Sequence, residues 1–400
     1  MLVLVTAIER AGPWAGASQL APVNAEAFLH SWNIVRIRAR YRLLASENVI
    51  VESSYTGLAM PITRLLLHNC SDEHDRIYAV LGLDPSAIPI EVVPDYSLSP
   101  AKLYADFAEA HLRRREIEIL YDAGLVRRSE DKMPLDNSKL PSWAPEYRRA
   151  YRSQWFEPYP WVQEHYSTAL ELPTTVEIEE GGVAILVRGV ILDKLKFGFN
   201  HPTKPEESRL NFGNIRDLVS ICVREFRDIN PDGYPTGEEP SMVLARLFLL
   251  DGTVDNIRRF LPLQTEEIML EYWLAYEKHC LDETGEVLLK VREADLRIAN
   301  MDIQGNAADD TFWEYQFPAS LGSEARKGWI FHRCLQLVLG KFPIASMYGG
   351  VFGMVPAGAR TGDDIAVFEG ARMPYLLRKV EGTGSYQLLG ACFVHGVMQG

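Results

Sequence analysis

The sequence predicts an α+β fold: a mainly helical N-terminal half, a β-hairpin in the middle, and a compact antiparallel β unit, a small barrel or sandwich, at the C-terminus. Three observations predict it. Apolar residues recur at helical spacing through residues 1–125. Two runs rich in β-branched residues flank Glu180-Gly181-Gly182. Beyond Phe342, short apolar runs are punctuated by Gly349, Gly350, Gly353, Gly358, Gly362, Gly370, Gly382, Gly384 and Gly390, the turn residues of an antiparallel unit.

The first predicted element is one long amphipathic helix over Ala25–Ile50. There Phe28, Leu29, Trp32, Val35, Ile37, Tyr41 and Leu44 keep mostly helical spacing among arginines. A second helix spans Ala59–Asn69. The stretch Cys70–Leu83, CSDEHDRIYAVLGL, has a sharp start, one apolar face and a glycine stop. Ser71 or Asp72 can accept hydrogen bonds from first-turn amides, and Asp72, Glu73 and Asp75 face the positive end of the helix dipole. Ile77, Val80 and Leu81 share a face, and Gly82 can take the left-handed conformation that ends the helix. Ser99 and Pro100 form an N-cap and first-turn pair, opening a helix whose face carries Leu103, Tyr104, Phe107, Ala108 and His111.

Between Arg127 and Pro160, proline, charge and aromatics mix, and the segment reads as an ordered crossing anchored by Trp143 and Trp155. Proline pushes its neighbour toward extended backbone, so Leu140–Pro145 is expected to run extended with Trp143 buried against a helical layer. Thr175–Ile178 and Val183–Leu192 form the hairpin. Helices return over Asn214–Asp228, Ser241–Leu250, Thr265–Cys280 and Glu286–Asn300, with the polar loop Asn230–Pro240 expected to be mobile. Ile365–Phe368, Tyr375–Val380 and Tyr386–Val394 are three strands of the C-terminal unit. The expected organisation is a helical region over 1–125, a Pro/aromatic-rich crossing segment over 126–165, a mixed hairpin and helical region over 166–340, and the antiparallel β unit over 341–400, packed on what precedes it.

The chain has 400 residues, 47% hydrophobic and 10% aromatic, ample for a core and enough for two packed domains or one large composite. A formal net charge of −13, from 54 acidic and 41 basic residues, disfavours a phosphate-backbone partner. The basic cluster Arg113–Arg115 is followed at once by Glu116 and Glu118 and reads as a solvated helix face. Cys70, Cys222, Cys280, Cys334 and Cys392 are odd in number and lack close spacing, which fits free buried thiols in a reducing compartment. Met1–Ile8 lacks the basic start and cleavage site of a signal peptide. Met242–Leu250, interrupted by Arg246, falls short of the ~20 residues of a membrane span. A cytoplasmic protein with no membrane span, no nucleic-acid partner and no cofactor is expected.

No catalytic, cofactor-binding or metal site is expected either. His68, Cys70, His74 and Asp75 are metal-ligand types, but no second cluster stands at zinc-finger spacing. Cys70 is expected as a buried thiol, His74 as a capping or exposed residue, and Asp75 with Arg76 as an ion pair. Cys392 and His395 suggest a nucleophile and base, yet a spacing of three on one strand points them to opposite faces. His332 and Cys334 would share a face only on a strand, whereas Cys334, Leu335, Val338 and Leu339 fit a helix. The glycines from Gly349 to Gly362 match neither phosphate-loop pattern, and Asp363-Asp364 reads as a strand entry rather than a cation site.

The chain also carries a family's landmarks. The Cys-Ser, Asp-Arg-Ile-Tyr-Ala and Leu-Gly-Leu strings of Cys70–Leu83 are followed by Val93–Ser97 (VPDYS) with Leu103–Ala105 (LYA), then by Leu140–Pro145 (LPSWAP). The C-terminal run adds Gly349–Pro356 (GGVFGMVP), Gly362–Val367 (GDDIAV), Pro374–Arg378 (PYLLR) and Tyr386–Met398 (YQLLGACFVHGVM). In this order they resemble the region behind the N-terminal module of fungal heterokaryon incompatibility (HET) domain-containing proteins. That module's Ser-Tyr-x-Trp-Gly and Cys-Ile-Asn-Gln strings do not occur in these residues, so only the C-terminal region of the family is expected here. The resemblance implies a non-enzymatic regulatory or scaffold role in nonself recognition and programmed cell death, without the effector module. It implies protein partners, a full-length HET-domain protein among them. The alternatives are a truncated or mis-started gene model of a full HET-domain protein, and an uncharacterised ligand-binding protein or hydrolase.

Overall fold

A computed structural model describes residues 72–81, 92–124, 140–147, 166–169, 172–179, 181–199, 212–252, 266–293, 321–339, 343–356 and 358–399. The helices predicted over Ala25–Ile50 and Ala59–Asn69, together with His68, Cys70, Gly82 and Trp155, lie outside them.

Helix α1 (Asp75–Leu81) begins as predicted, with Asp72 Oδ1 accepting the His74 amide at 2.9 Å. Arg76 pairs with Glu73 at 3.5 Å, while Asp75 accepts the Tyr96 hydroxyl at 2.8 Å. The expected Asp75–Arg76 pair is thus replaced, because adjacent residues on a helix point about 100° apart and do not face each other. Helix α2 (Pro100–Arg113) is capped by Ser99, whose Oγ accepts the Lys102 amide at 3.2 Å. Tyr104 on α2 donates to the Glu73 carbonyl at 2.9 Å, tying the two helices together. A 3₁₀ turn over Ile117–Asp122 follows and buries Ile117, Ile119, Leu120 and Tyr121. Beyond it Gly124, at φ +126°, lies so close to the Leu389 carbonyl that a β-carbon would collide with it.

Leu140–Pro145 is not extended. The Ala144 amide closes a turn on the Pro141 carbonyl at 3.0 Å. Each proline restricts only the residue before it, here Leu140 and Ala144, and leaves Ser142 and Trp143 free to fold back. Trp143 is buried, and its indole N–H donates to the Val183 carbonyl at 3.4 Å. Tyr147 supplies the aromatic contacts with α2, edge-on to Tyr104 and Phe107 at 5.4 and 5.9 Å.

The hairpin pairs β1 (Val176–Ile178) with β2 (Ile185–Val187). The second predicted strand, Val183–Leu192, is two strands in space. After Arg188 the chain continues as β3 (Gly189–Phe199), which leaves the hairpin and enters a seven-stranded antiparallel sheet. The other members are β4 (Ile344–Met347), β5 (Phe352–Met354), β6 (Asp364–Phe368), β7 (Tyr375–Lys379), β8 (Tyr386–Ala391) and β9 (Phe393–Val394). Their order is β8-β7-β6-β3-β4-β5-β9. Strands β8 and β9 stand at opposite ends of that order yet are separated in the chain only by Cys392, so the sheet closes on itself as a barrel. Its inside is filled by Leu195, Ala345, Met347, Val355, Ile365, Leu376, Leu389, Cys392 and Val394. The strand at the centre of the order comes from outside 341–400, so the barrel draws on two distant stretches of chain.

A helical layer accompanies the barrel: α3 (Phe212–Ile229), α4 (Pro240–Leu249), α5 (Glu266–Tyr276), α6 (Glu286–Glu293) and α7 (Ser323–Leu339). Glu239 caps α4 by accepting the Met242 amide at 3.1 Å, and Pro240 takes the first turn. Helix α5 runs on into a π turn over Glu277–Leu281. Trp273 centres this layer, packed on Phe248, Phe331 and Tyr276 at 5.4, 5.5 and 5.9 Å between ring centroids. Gly328 lets α7 meet α5 closely, since a β-carbon there would stand 2.7 Å from the Ala275 carbonyl oxygen. Phe226 of α3 packs on Phe352 of β5 at 5.2 Å, joining the layer to the barrel's outer face.

Candidate functional site

The thiol candidates are held away from solvent. Cys222, Cys280, Cys334 and Cys392 are free and buried, and burial pushes the Cys334 thiol up to about 12. The same desolvation raises the other three well above the usual thiol range. Cys392 lines the barrel interior, whereas His395 contacts the helical layer outside through Tyr234 and Glu238. The separation does not come from alternation along one strand, because Cys392 lies in the break between β8 and β9 and His395 in the turn after β9. His332 and Cys334 sit on helix α7, both buried.

The acidic pair at the entry to β6 is occupied by cations of the protein. Arg378 grips Asp363 with two bonds, Nε to Oδ1 at 2.8 Å and Nη2 to Oδ2 at 2.7 Å, and Lys194 pairs with Asp364. Among the described residues, no group of three or more His, Cys, Asp or Glu could hold a metal ion. Gly350, Gly358 and Gly362 occupy turns at positive φ. His74 is neither exposed nor metal-facing: Nδ1 lies 2.5 Å from Asp72 Oδ1 and Nε2 2.7 Å from the Leu98 carbonyl. Both partners are acceptors, so only the doubly protonated ring satisfies them. Burial lowers its pKa, but the Asp72 carboxylate and the Leu98 carbonyl outweigh burial and raise it overall.

A connected group of titratable side chains lies where the helical layer meets the barrel. Tyr234 is buried and stacks on Phe226 at 5.4 Å; its hydroxyl accepts the Phe352 amide at 2.9 Å and donates to the His395 carbonyl at 3.3 Å. Glu238 meets the His395 ring at Nε2, 2.8 Å away, accepts the Thr236 hydroxyl at 2.7 Å, and pairs with Arg246 Nη1 at 2.5 Å. Burial works against the Glu238 carboxylate, but Thr236, His395 and Arg246 together hold its pKa below the usual range. Burial lowers the pKa of His395. The neutral ring therefore donates its Nε2 proton to an ionised Glu238, leaving Nδ1 buried with no hydrogen-bond partner among the described residues.

Arg246 is the hub. It also pairs with Glu266 of α5, and its Nε stands 3.9 Å from Asp251 Oδ1. Desolvation pushes the Asp251 carboxyl up to about 7, against the weaker pull of Arg246. Leu250 and Asp251 both have left-handed backbone, at φ +51° and +56°. Two consecutive non-glycine residues there store strain of order 1–3 kcal/mol each, and the Tyr166 hydroxyl holds the first in place through the Leu250 carbonyl at 2.8 Å. Neither Glu238 nor Asp251 stands out in the sequence, and Arg246 shows only as the charge that interrupts Met242–Leu250. The one signal was Tyr234, a large aromatic inside the polar loop Asn230–Pro240 that reads as mobile. That loop is anchored at Tyr234 and Glu238.

Comparison with known proteins bears on both the barrel and the whole chain. The Het-6 beta-barrel domain family matches residues 309–400, the stretch that contains α7 and strands β4 to β9. Heterokaryon incompatibility protein 6, OR allele, of Neurospora crassa is 22% identical over 382 residues, covering 90% of this chain and 52% of that protein. The chain is related to the heterokaryon incompatibility proteins. It spans about half the length of that relative. No solved structure matches it. The incompatibility match at 309–400 leaves out β3, although that strand completes the barrel. No helix among the described residues is long and apolar enough to cross a membrane.

Proposed function

We propose that this chain is a non-enzymatic regulatory or scaffold protein of heterokaryon incompatibility, acting in nonself recognition and the programmed cell death that follows. The observation that carries this reading is the alignment with an incompatibility protein over 90% of the chain. Burial of the four described cysteines supports it, because a buried neutral thiol is a poor nucleophile. The Glu238–His395 pair fits the same reading: the ring bridges two layers and offers no nitrogen to solvent. Its partners are proteins, a full-length HET-domain protein first among them, since a net charge of −13 favours no nucleic acid. The role is cytoplasmic and requires no effector module within the chain.

The test is expression in a filamentous fungus with and without a full-length HET-domain protein, scoring co-purification of the two and hyphal viability after fusion. Association together with a change in viability is the expected result. Neither effect, at matched expression, would sink the reading.

A further inference from the structure

The barrel leaves one piece of edge unpaired. Strand β3 pairs with β6 from Gly189 to Lys194, but β4 joins its other side only from Leu195 onward. Among the described residues, no strand lies along the open side of Gly189–Asp193. Side chains on consecutive residues of a regular strand point to opposite faces; Val190 and Ile191, in regular register with Val367 and Ala366, are 62% and 48% exposed, and Leu192, 46% exposed, sits at a β-bulge before Asp193. Both faces of this end of β3 are therefore bare. Tyr348, whose amide bonds the Lys194 carbonyl, is exposed as well and extends the apolar strip.

An exposed apolar edge with free backbone donors and acceptors is a template for an added strand. Charge decides which strand. Arg188 and Lys196 stand exposed at either end of the apolar run, and neither makes an ion pair with a described residue. Lys194 is committed to Asp364, and the Asp193 carboxylate accepts the Lys194 and Gly349 amides. The same cations argue against a second copy of this chain. Antiparallel self-pairing centred on Ile191 sets Arg188 across from Lys194, and like charges directly opposite are destabilising, while a register centred on Leu192 needs the stretch from Leu195 that β4 already pairs. Two chains of net charge −13 repel besides.

We propose that the Gly189–Asp193 edge of β3 is a strand-addition site for an extended apolar segment of a partner protein that carries acidic residues at both ends. The site deepens the regulatory reading and rests on it for the existence of a protein partner. Its own test uses synthetic peptides, so a failure here is distinguishable from a failure of the co-purification experiment. The probes are fluorescein-labelled Glu-Glu-Val-Thr-Val-Thr-Val-Glu-Glu, the same peptide with lysine at all four flanking positions, and the acidic peptide with proline at its central valine. Fluorescence anisotropy with the full chain should show the acidic peptide binding about tenfold more tightly than the lysine version, and the proline peptide should not bind. Arg188→Glu with Lys196→Glu should invert the preference, and Val190→Lys should abolish binding; these side chains are exposed, and circular dichroism checks that the variants fold. Equal binding of the proline peptide, unchanged preference in the double variant, or no binding at millimolar peptide would overturn the proposal. So would a homodimer in sedimentation that Val190→Lys dissociates.

Discussion

Asp251 should weaken the fold at neutral pH, and removing its charge should stabilise the protein. Its carboxyl is raised from 3.8 to about 7 because burial penalises the ionised form more than Arg246 favours it. In the unfolded chain the group ionises near 3.8, in the folded chain only near 7. Stability is therefore unaffected below the lower value, falls as pH rises from about 4 to about 7, and stays reduced above that. About three powers of ten in proton affinity correspond to about 4 kcal/mol. That is a ceiling: the side chain keeps 23% of its surface exposed, and its nearest cation lies 3.9 Å away. We expect Asp251→Asn to gain ~1–3 kcal/mol at pH 7.5. Asparagine suits the test because it is nearly isosteric and tolerates the left-handed backbone at φ +56°. Arg246 keeps Glu238 and Glu266 in the variant. Urea denaturation followed by tryptophan fluorescence at pH 4.5, 6.0 and 7.5 measures the gain. It should be largest at pH 7.5 and close to zero at pH 4.5. A loss of stability at pH 7.5, or a gain independent of pH, would refute the reasoning.

Trp143→Ala should cost ~3–5 kcal/mol, since the indole is buried and bonded to the Val183 carbonyl, and an unchanged thermal midpoint would count against its anchoring role. Arg378→Met should cost about 3 kcal/mol by stranding the buried Asp363 carboxylate. Adding Asp363→Leu should recover part of that loss in the same denaturation assay; a double variant no better than the single one argues against the pair. The doubly protonated His74 stabilises the docking of α1 below its unfolded pKa of 6.5, and that contribution is lost as pH rises through the higher folded value. Amide exchange, corrected for its intrinsic pH dependence, should lose protection at residues 75–78 from pH 6 to pH 8.5. Protection that is flat or rising across that range would contradict the assigned charge state.

Much of the local structure was legible because its causes are local. Ser99-Pro100 caps the helix it announces, Asp72 caps α1, and the helix expected over Thr265–Cys280 is present from Glu266 to Tyr276, with a π turn after it that the sequence does not announce. The turn at Pro141–Ala144 departs from the expected extended run because the restriction from a proline reaches one residue back, while the backbone hydrogen bond that closes the turn skips two residues. The Val183–Leu192 run divides into two strands at a point the sequence does not show, because β-branched composition does not mark where pairing partners change.

The chain's order of residues is enough for the helix over Pro100–Arg113 with its Ser99 cap, the presence of the central hairpin and the relation to incompatibility proteins, all carried by short-range spacing and composition. That β3 joins strands more than a hundred residues away, and that β8 and β9 close the barrel, follows from the three-dimensional packing. It alone brought Glu238 to His395, 157 positions distant, and set the half-buried Asp251 beside Arg246. It also left Val190–Leu192 on an open edge. The physical reason is the same in each case. Strand pairing, desolvation and ion pairing depend on which surfaces meet, and periodicity along the chain fixes which face a residue takes but not what that face meets.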